Sequence, residues 1–159
     1  MAKTDNFISI RHYHSTDLSA CLNIFRSNMP KYFAESEFDE YASFLASFDG
    51  EYLVAEVNNQ ISACGGGYVK DGIGRLCWGM VDQSKHRSSL GSTLLTRRIN
   101  NLFSQSKDLL LIQIDTSQHI AGFFERFGFK TTQVTKDGFD TGLDCVVMSL
   151  KQEDWLIGD

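Results

Sequence analysis

The run LLLIQIDT, residues 109–116, constrains this chain most. It is almost continuously apolar, as expected of a strand buried on both faces. Ahead of it Leu90, Leu94, Leu95, Ile99, Leu102 and Phe103 form one stripe at helical spacing. Ahead of that helix, RLCWGMVD (75–82) reads as another strand. A strand, a helix and a strand in succession cross over between parallel neighbours in one sheet. Such a pair opens a crevice at the carboxyl ends of its strands, where α/β sheets receive ligands.

The remaining segments fit around this unit. FISIRHY (7–13) alternates as a strand. Leu18, Leu22 and Phe25 then mark a helix that Ser15, Thr16 or Asp17 caps and Pro30 ends. A second helix starts near Ser36, with Ser36-x-x-Asp39 at capping-box spacing and Phe38, Tyr41, Leu45 and Phe48 as its stripe. EYLVAEV (51–57) and 61–69 flank Asn58-Asn59-Gln60, a tight-turn sequence, and Lys70–Gly74 turns into the strand at 75. After residue 116, IAGFFERF reads as a short helix that Gly128 ends in the left-handed cap position. Two strands around the polar loop KDGFDTG complete the core near Leu150. The order β-α-α-β-β-β-α-β-α-β-β predicts a mixed α/β (α+β) class with helices on both faces of the sheet.

Composition narrows the function. The 159 residues suit one domain, 1–159, with a core at about 7–150. No stretch approaches the ~20 apolar residues of a membrane span, and MAKTDNFISI lacks the apolar core of a signal peptide. Cys21, Cys64, Cys77 and Cys145 are scattered in apolar contexts without a C-x-x-C pair. They read as reduced core thiols of a cytoplasmic protein that holds no metal. A net charge of −5 argues against broad nucleic-acid binding but leaves room for a local basic patch.

That patch lies in KHRSSLGSTLLTRRINNLF (85–103). Lys85, His86 and Arg87 precede a helix start capped by Ser88 or Ser89, where the helix dipole is itself positive. Bases at that place serve a third, negative party held by the first N–H groups of the helix. The segment is not a nucleotide P-loop, because no Gly-Lys-Ser/Thr follows. It is not a dinucleotide fingerprint either, because Ser89-x-Gly91 lacks the other glycines.

At these residues the chain resembles the GNAT N-acetyltransferases, whose main motif is Gln/Arg-x-x-Gly-x-Gly/Ala after a strand. Here it reads His86-Arg87-Ser88-Ser89-Leu90-Gly91, followed by Ser92. The family's later Asn and Tyr-Glu-x-x-Gly-Phe read Ser117 and Phe124-Glu125-Arg126-Phe127-Gly128-Phe129. The order of elements matches over residues 7–150. The resemblance implies a mixed sheet split between two parallel strands, with acetyl-CoA in the split as cosubstrate. It places the pyrophosphate on the backbone of Arg87 to Ser92 and the pantetheine along Met80, Val81 and Asp82, with Val81 N–H as the oxyanion donor. It implies transfer of an acetyl group to a primary amine, of a small molecule or a peptide, by direct attack in a ternary complex. It also makes a homodimer an expectation.

Three departures follow. His86 stands for Gln or Arg and still donates a hydrogen bond. Ser89 adds a Cβ where the family has glycine. Phe124 replaces the Tyr that protonates the departing thiolate in many members, so it contacts at most the CoA arm, beside Ser117, and no general acid or base is evident. By the same resemblance the acceptor side holds Tyr32, Phe33, Glu35 and Glu37 between the first two helices, with Asp137, Asp140 and Asp144 before the last strand. Tyr68 and Trp78 line the pocket, and the acids suit a basic amine. Cys64 and Cys77 have no paired His motif, so no thiol nucleophile is expected. The alternative is a non-catalytic acyl-CoA-binding or sensor module of the same fold, with an unrelated nucleotide-binding α/β protein a weaker third.

Overall fold

The structure, a computed structural model, describes residues 7–157. Met1–Asn6, which carry part of the signal-peptide reading, lie outside the described residues. Seven strands form one sheet in the order β1-β2-β3-β4-β5-β7-β6. They are β1 (Ile8–His12), β2 (Glu51–Val57), β3 (Gln60–Lys70), β4 (Ile73–Val81), β5 (Leu111–Thr116), β6 (Lys130–Asp140) and β7 (Leu143–Lys151). The helices are α1 (Leu18–Ser27), α2 (Phe38–Ser47), α3 (Leu90–Gln105), α4 (Ala121–Glu125) and α5 (Gln152–Ile157). Every pairing is antiparallel except β4 with β5, the crossover pair the pattern required.

The helices divide over the two faces as expected. On one face Leu95, Ile99 and Leu102 of α3 pack on Leu76, Ile112, Met148 and Leu150, with Phe124 and Phe129 alongside. On the other, Ile24 and Phe25 of α1 and Tyr41 and Leu45 of α2 pack on Tyr52, Val54, Cys64 and Met80. Burying these side chains is the main driving force for closing the three layers.

Two-residue turns join β2 to β3 and β3 to β4. Asn58 and Asn59 sit at φ 53 and 65, and Asp71 and Gly72 at φ 54 and 76, the paired positive values a tight hairpin needs. Several local expectations change. Asp17 does not cap α1. Its carboxylate accepts the His14 N–H at 2.8 Å and takes two bonds from Arg11 at 2.8 and 2.9 Å. The Ser36–Asp39 box does not form; Glu37 instead reaches back to the Ala34 N–H at 3.2 Å. The polar segment KDGFDTG is no loop. Most of it belongs to β6, which bulges between Thr135 and Asp140, and the turn is Thr141-Gly142. β5 is not buried on both faces either. Ile112 and Ile114 are buried while Gln113 is half-buried and Asp115 exposed, because one face borders an opening.

That opening depends on an irregularity in β4. Gly66 faces Cys77 and Cys64 faces Met80, so two residues of β4, Trp78 and Gly79, oppose Gly65 alone. This is a β-bulge, and Trp78 occupies the left-handed region at φ 45. Such backbone is costly for a bulky residue and persists only where its surroundings fix it. Both faces do so. From the α1–α2 face Tyr52 donates its hydroxyl to the Trp78 carbonyl at 2.8 Å. From the α3 face the buried Arg98 donates Nε and Nη2 to the Gly66 carbonyl at 3.2 and 2.9 Å, and Nη2 to the Cys77 carbonyl at 3.2 Å. Its guanidinium lies against two glycines: a Cβ on Gly65 would stand 2.7 Å from Arg98 Cζ, and one on Gly79 would stand 2.4 Å from Nη1.

Gly79→Ala is therefore expected to lower stability by about 1–3 kcal/mol through overpacking. Gly122→Ala, with nothing within 4 Å of the new Cβ, leaves stability unchanged or raises it. Urea melts of both variants check this; equal midpoints would show that the guanidinium does not need the gap.

Candidate active site

The β4–β5 ladder is short. Gly74 pairs with Ile112 and Arg75 with Gln113, and there it stops. Beyond, the two strands diverge around a cavity of about 880 Å³. The start of α3, the α1–α2 connection, the β5–α4 loop and Phe139 of β6 complete its walls.

Along the β4 wall, backbone alternation decides what is offered. Asp82 N–H donates to the Ser62 carbonyl at 2.8 Å, so residues 82 and 80 face β3 and Val81 faces the cavity. Met80 and Asp82 therefore spend their backbone groups on β3, and Asp82 does not line the cavity, contrary to the sequence reading. The Val81 carbonyl accepts Asn28 Nδ2 and His86 Nε2, each at 2.9 Å. A carbonyl only accepts, so His86 Nε2 carries a proton and donates it there. What Val81 presents to the cavity is its N–H.

The loop to α3 is built from short polar contacts. Asp82 accepts from Ser84 N and Oγ at 3.0 and 2.6 Å, and Ser88 Oγ donates to the Lys85 carbonyl at 2.7 Å. Arg87 takes the left-handed region at φ 67, which redirects the chain into the helix. Ser89 occupies the N-cap position without a side-chain bond, and the Leu90 N–H meets Ser88 Oγ at 3.3 Å. Ser89 and the buried Leu90 do not line the cavity; Arg87, Ser88, Gly91 and Ser92 do, with Lys85 and His86. The N–H groups of Gly91 and Ser92, in the first turn, have no intrahelical partner. A Cβ on Gly91 would stand 3.4 Å from Val81 and 3.5 Å from Phe123, ordinary contacts, so the fold itself does not demand glycine there.

Opposite, Ser117 is buried and its hydroxyl has no hydrogen-bond partner. Its carbonyl starts the turn into α4 by accepting the Ile120 and Ala121 N–H groups at 3.1 Å. A buried hydroxyl left unpaired at a cavity wall calls for a ligand atom. Phe124 is buried against Phe129 and also lines the cavity, a core residue first. Free backbone donors, a basic loop and an orphaned hydroxyl thus surround a slot between two strands, which fits a long, phosphate-bearing ligand.

The acetyltransferase (GNAT) domain family matches residues 24–152. The chain belongs to the GNAT acetyltransferases. No curated protein sequence matches it. Among solved structures, the ribosomal-protein-S18-alanine N-acetyltransferase of Escherichia coli superposes with a TM-score of 0.76 at 18% identity, covering 91% of this chain and 94% of that one. The PaiA N-acetyltransferase of Thermoplasma acidophilum, in complex with coenzyme A, gives 0.71 at 17%, over 91% and 99%. An aminoglycoside 6′-N-acetyltransferase complexed with coenzyme A gives 0.67 at 13%, over 90% and 96%. These likenesses confirm the GNAT fold. No helix among the described residues is long and apolar enough to cross a membrane, and no His, Cys, Asp and Glu cluster there has a metal-holding arrangement.

The other end of the GNAT cleft is aromatic and acidic. Tyr32, Phe33, Tyr68 and Trp78 line it, with Glu37, Glu40 and Asp115. Of the two acids expected on this connection, Glu37 lines the cavity, while Glu35 in the same 3-10 turn is exposed and stands outside. Burial holds the Glu37 carboxyl above the usual carboxylate range, opposed by the Ala34 N–H and helped by Glu40 and Asp140. Asp137 and Asp144 do not serve the cavity. Asp137 N–H donates to Asp144 and the Asp137 carboxylate accepts the Gly142 N–H, at 2.9 and 2.8 Å. Gln118 then ties this hairpin to the β5–α4 loop through Gly142 O and Asp144 N–H, at 2.8 and 2.9 Å. Tyr32 bridges the mouth, its ring 5.1 Å from His86 and 6.1 Å from His119. His119 and Asn28 carry no motif that sequence reasoning could have used. Arg98 did leave a signal: it interrupts the apolar stripe between Leu94 and Leu102.

Two substitutions separate the loop's parts. Gly91→Trp should abolish acetyl-CoA binding by filling the slot, and Arg87→Ala should weaken it about tenfold, the order of one lost charge-assisted contact. Calorimetry with acetyl-CoA checks both, and unchanged affinity in either would place the pyrophosphate elsewhere.

Proposed function

We propose that this chain is an N-acetyltransferase that carries an acetyl group from acetyl-CoA to a primary amine by direct attack in a ternary complex. The observation that carries the reading is the slot beyond Arg75, where the Val81 N–H faces the cavity and the unpaired donors at the start of α3 face the same space. In this reading Arg87, Ser88, Gly91 and Ser92 hold the pyrophosphate. Ser117 Oγ bonds the pantetheine arm, and Phe123 and Phe124 pack beside it. Acetyl-CoA supplies an acetyl group activated as a thioester. Val81 N–H polarises the thioester carbonyl and holds the oxyanion as it forms.

Glu37 acts on the amine. Glu37, Glu40 and Asp115 favour a cation near the thioester. An amine attacks only as the free base, and the raised Glu37 carboxyl is closer in proton affinity to that task than an ordinary carboxylate. Glu37 takes the proton through water, and Trp78 and Tyr68 shape the space around the acceptor. The chemistry fits a basic amine of a small molecule or a peptide, at work in the cytoplasm.

A thiol-release screen with acetyl-CoA over polyamines, aminoglycosides, amino acids and peptides tests the reading. Turnover with at least one amine is expected. Acetyl-CoA binding without release against every amine would favour the non-catalytic sensor, the reading that Phe124 motivates.

The role of Glu37 has its own sign. Its pKa is raised, so the base form appears only as pH climbs past the ordinary carboxylate range. kcat/KM should rise with pH through that inflection. Glu37→Gln should lose the inflection and fall about 10²–10³-fold, the size of a general-base effect. The same pH profile in both proteins would remove Glu37 from the mechanism.

A further inference from the structure

The mechanism above leaves one buried charge unused. Arg98 is 5% exposed and lines the cavity. It has no carboxylate partner among the described residues, where the salt bridges involve Arg11, Asp17 and Glu56. Burying a cation without an anion is expensive. Two carbonyls, of Gly66 and Cys77, take Nε and Nη2. Carbonyls supply dipoles and no net charge, and Nη1 makes no hydrogen bond to a described residue. The titratable groups that face the guanidinium are Cys64, Cys77 and Tyr52. Burial pushes Cys77 to about 11 and Tyr52 well up, so both remain neutral near pH 7. The Cys64 thiol packs on the opposite face of the sheet, 3.4 Å from the Tyr41 hydroxyl; burial pushes it up, while bonds with Cys21, Tyr41 and Tyr52 and the charge of Arg98 bring it below its ordinary value. Arginine stays protonated in such a place even though burial lowers its pKa.

Its position matters as much as its charge. Nη1 lies where a Gly79 Cβ would be, two residues before Val81, so the charge is within about 7 Å, two strand steps, of the Val81 N–H. Phe124 carries no hydroxyl to meet the departing sulfur.

We infer that Arg98 is the positioning residue of the transfer: it fixes the Trp78 bulge that aims Val81 N–H, and its buried charge, which no carboxylate pairs, stabilises the CoA thiolate as it leaves. The inference rests on the acetyl-transfer reading. In the step, the amine nitrogen bonds to the carbonyl carbon and the C–S bond breaks. The electron pair goes to sulfur; Glu37 has already taken the proton of the incoming ammonium through water, and the second proton, shed by nitrogen as the amide forms, leaves to solvent. The thiolate leaves as the anion, held by the field of Arg98, and takes its proton later from solvent.

The test is the ionisation of the bound CoA thiol, followed by thiolate ultraviolet absorbance against a blank complex with desulfo-CoA. His86, Arg87 and His119 on the CoA side of the cavity, and Glu37, Glu40 and Asp115 on the acceptor side, are present in every protein compared. Wild type should lower the pKa of the bound thiol by about one unit or more relative to free CoA, the size of a nearby opposite charge. Arg98→Met, similar in length and neutral, should lose that shift. Arg98→Lys, which keeps the charge with fewer donors, should retain part of it. In steady state Arg98→Met should lower kcat about tenfold or more with a smaller change in KM for acetyl-CoA, and Arg98→Lys should recover part of kcat. A wild-type bound thiol that titrates as free CoA does, or a shift unchanged in Arg98→Met, overturns the inference. Should Arg98→Met fail to fold, the wild-type and Arg98→Lys titrations still decide it. Failure of CoA to bind at all would instead overturn the acetyl-transfer reading.

Discussion

Everything in this molecule that suggests chemistry depends on one break in the sheet's hydrogen bonding. β4 leaves β5 after Arg75 and carries one extra residue against β3, with Trp78 in a backbone region that a tryptophan does not choose on its own. Three hydrogen bonds from the buried Arg98 and one from Tyr52 hold that shape from opposite faces. The glycines at 65 and 79 leave the room for the guanidinium. The irregular strand is thus over-determined, and an over-determined irregularity provides a rigid slot without a mobile loop.

The slot sorts charge along its length. At one end Lys85, Arg87 and the start of α3 offer positive potential and free N–H groups. At the other, Glu37, Glu40 and Asp115 offer negative potential among aromatic rings. An anionic cosubstrate and a cationic acceptor would enter from opposite sides and meet where the strand presents an unpaired N–H. The net charge of −5 conceals this division, because total charge says nothing of where each sign is placed.

Much of the fold was legible in the sequence because its determinants are local. Alternation, helical stripes and turn residues such as Asn58-Asn59 gave the elements and their order, and the crossover rule gave the parallel pair. The basic loop before α3 was legible for the same reason. The errors arose where meaning comes from distant partners. Asp137-Gly138 reads as a turn, yet a bulge against β7 keeps it in β6. Glu35 and Glu37 look equivalent until the 3-10 turn leaves one exposed and places the other on the cavity. His86 stands on the cavity as the loop pattern implies, but that its Nε2 is engaged on Val81 O is visible only in three dimensions. Arg98 was the largest omission. Its role exists only because glycines on two other strands make space for it, and periodicity cannot show that.

The most direct test of the account is hydrogen exchange with and without acetyl-CoA. Amides of residues 78–82 and 87–92, Val81 above all, should gain protection, while the exposed strand β6 should not change. Protection confined to other segments, or none at saturating acetyl-CoA, would contradict the claim that the split beyond Arg75 is the acyl-CoA seat.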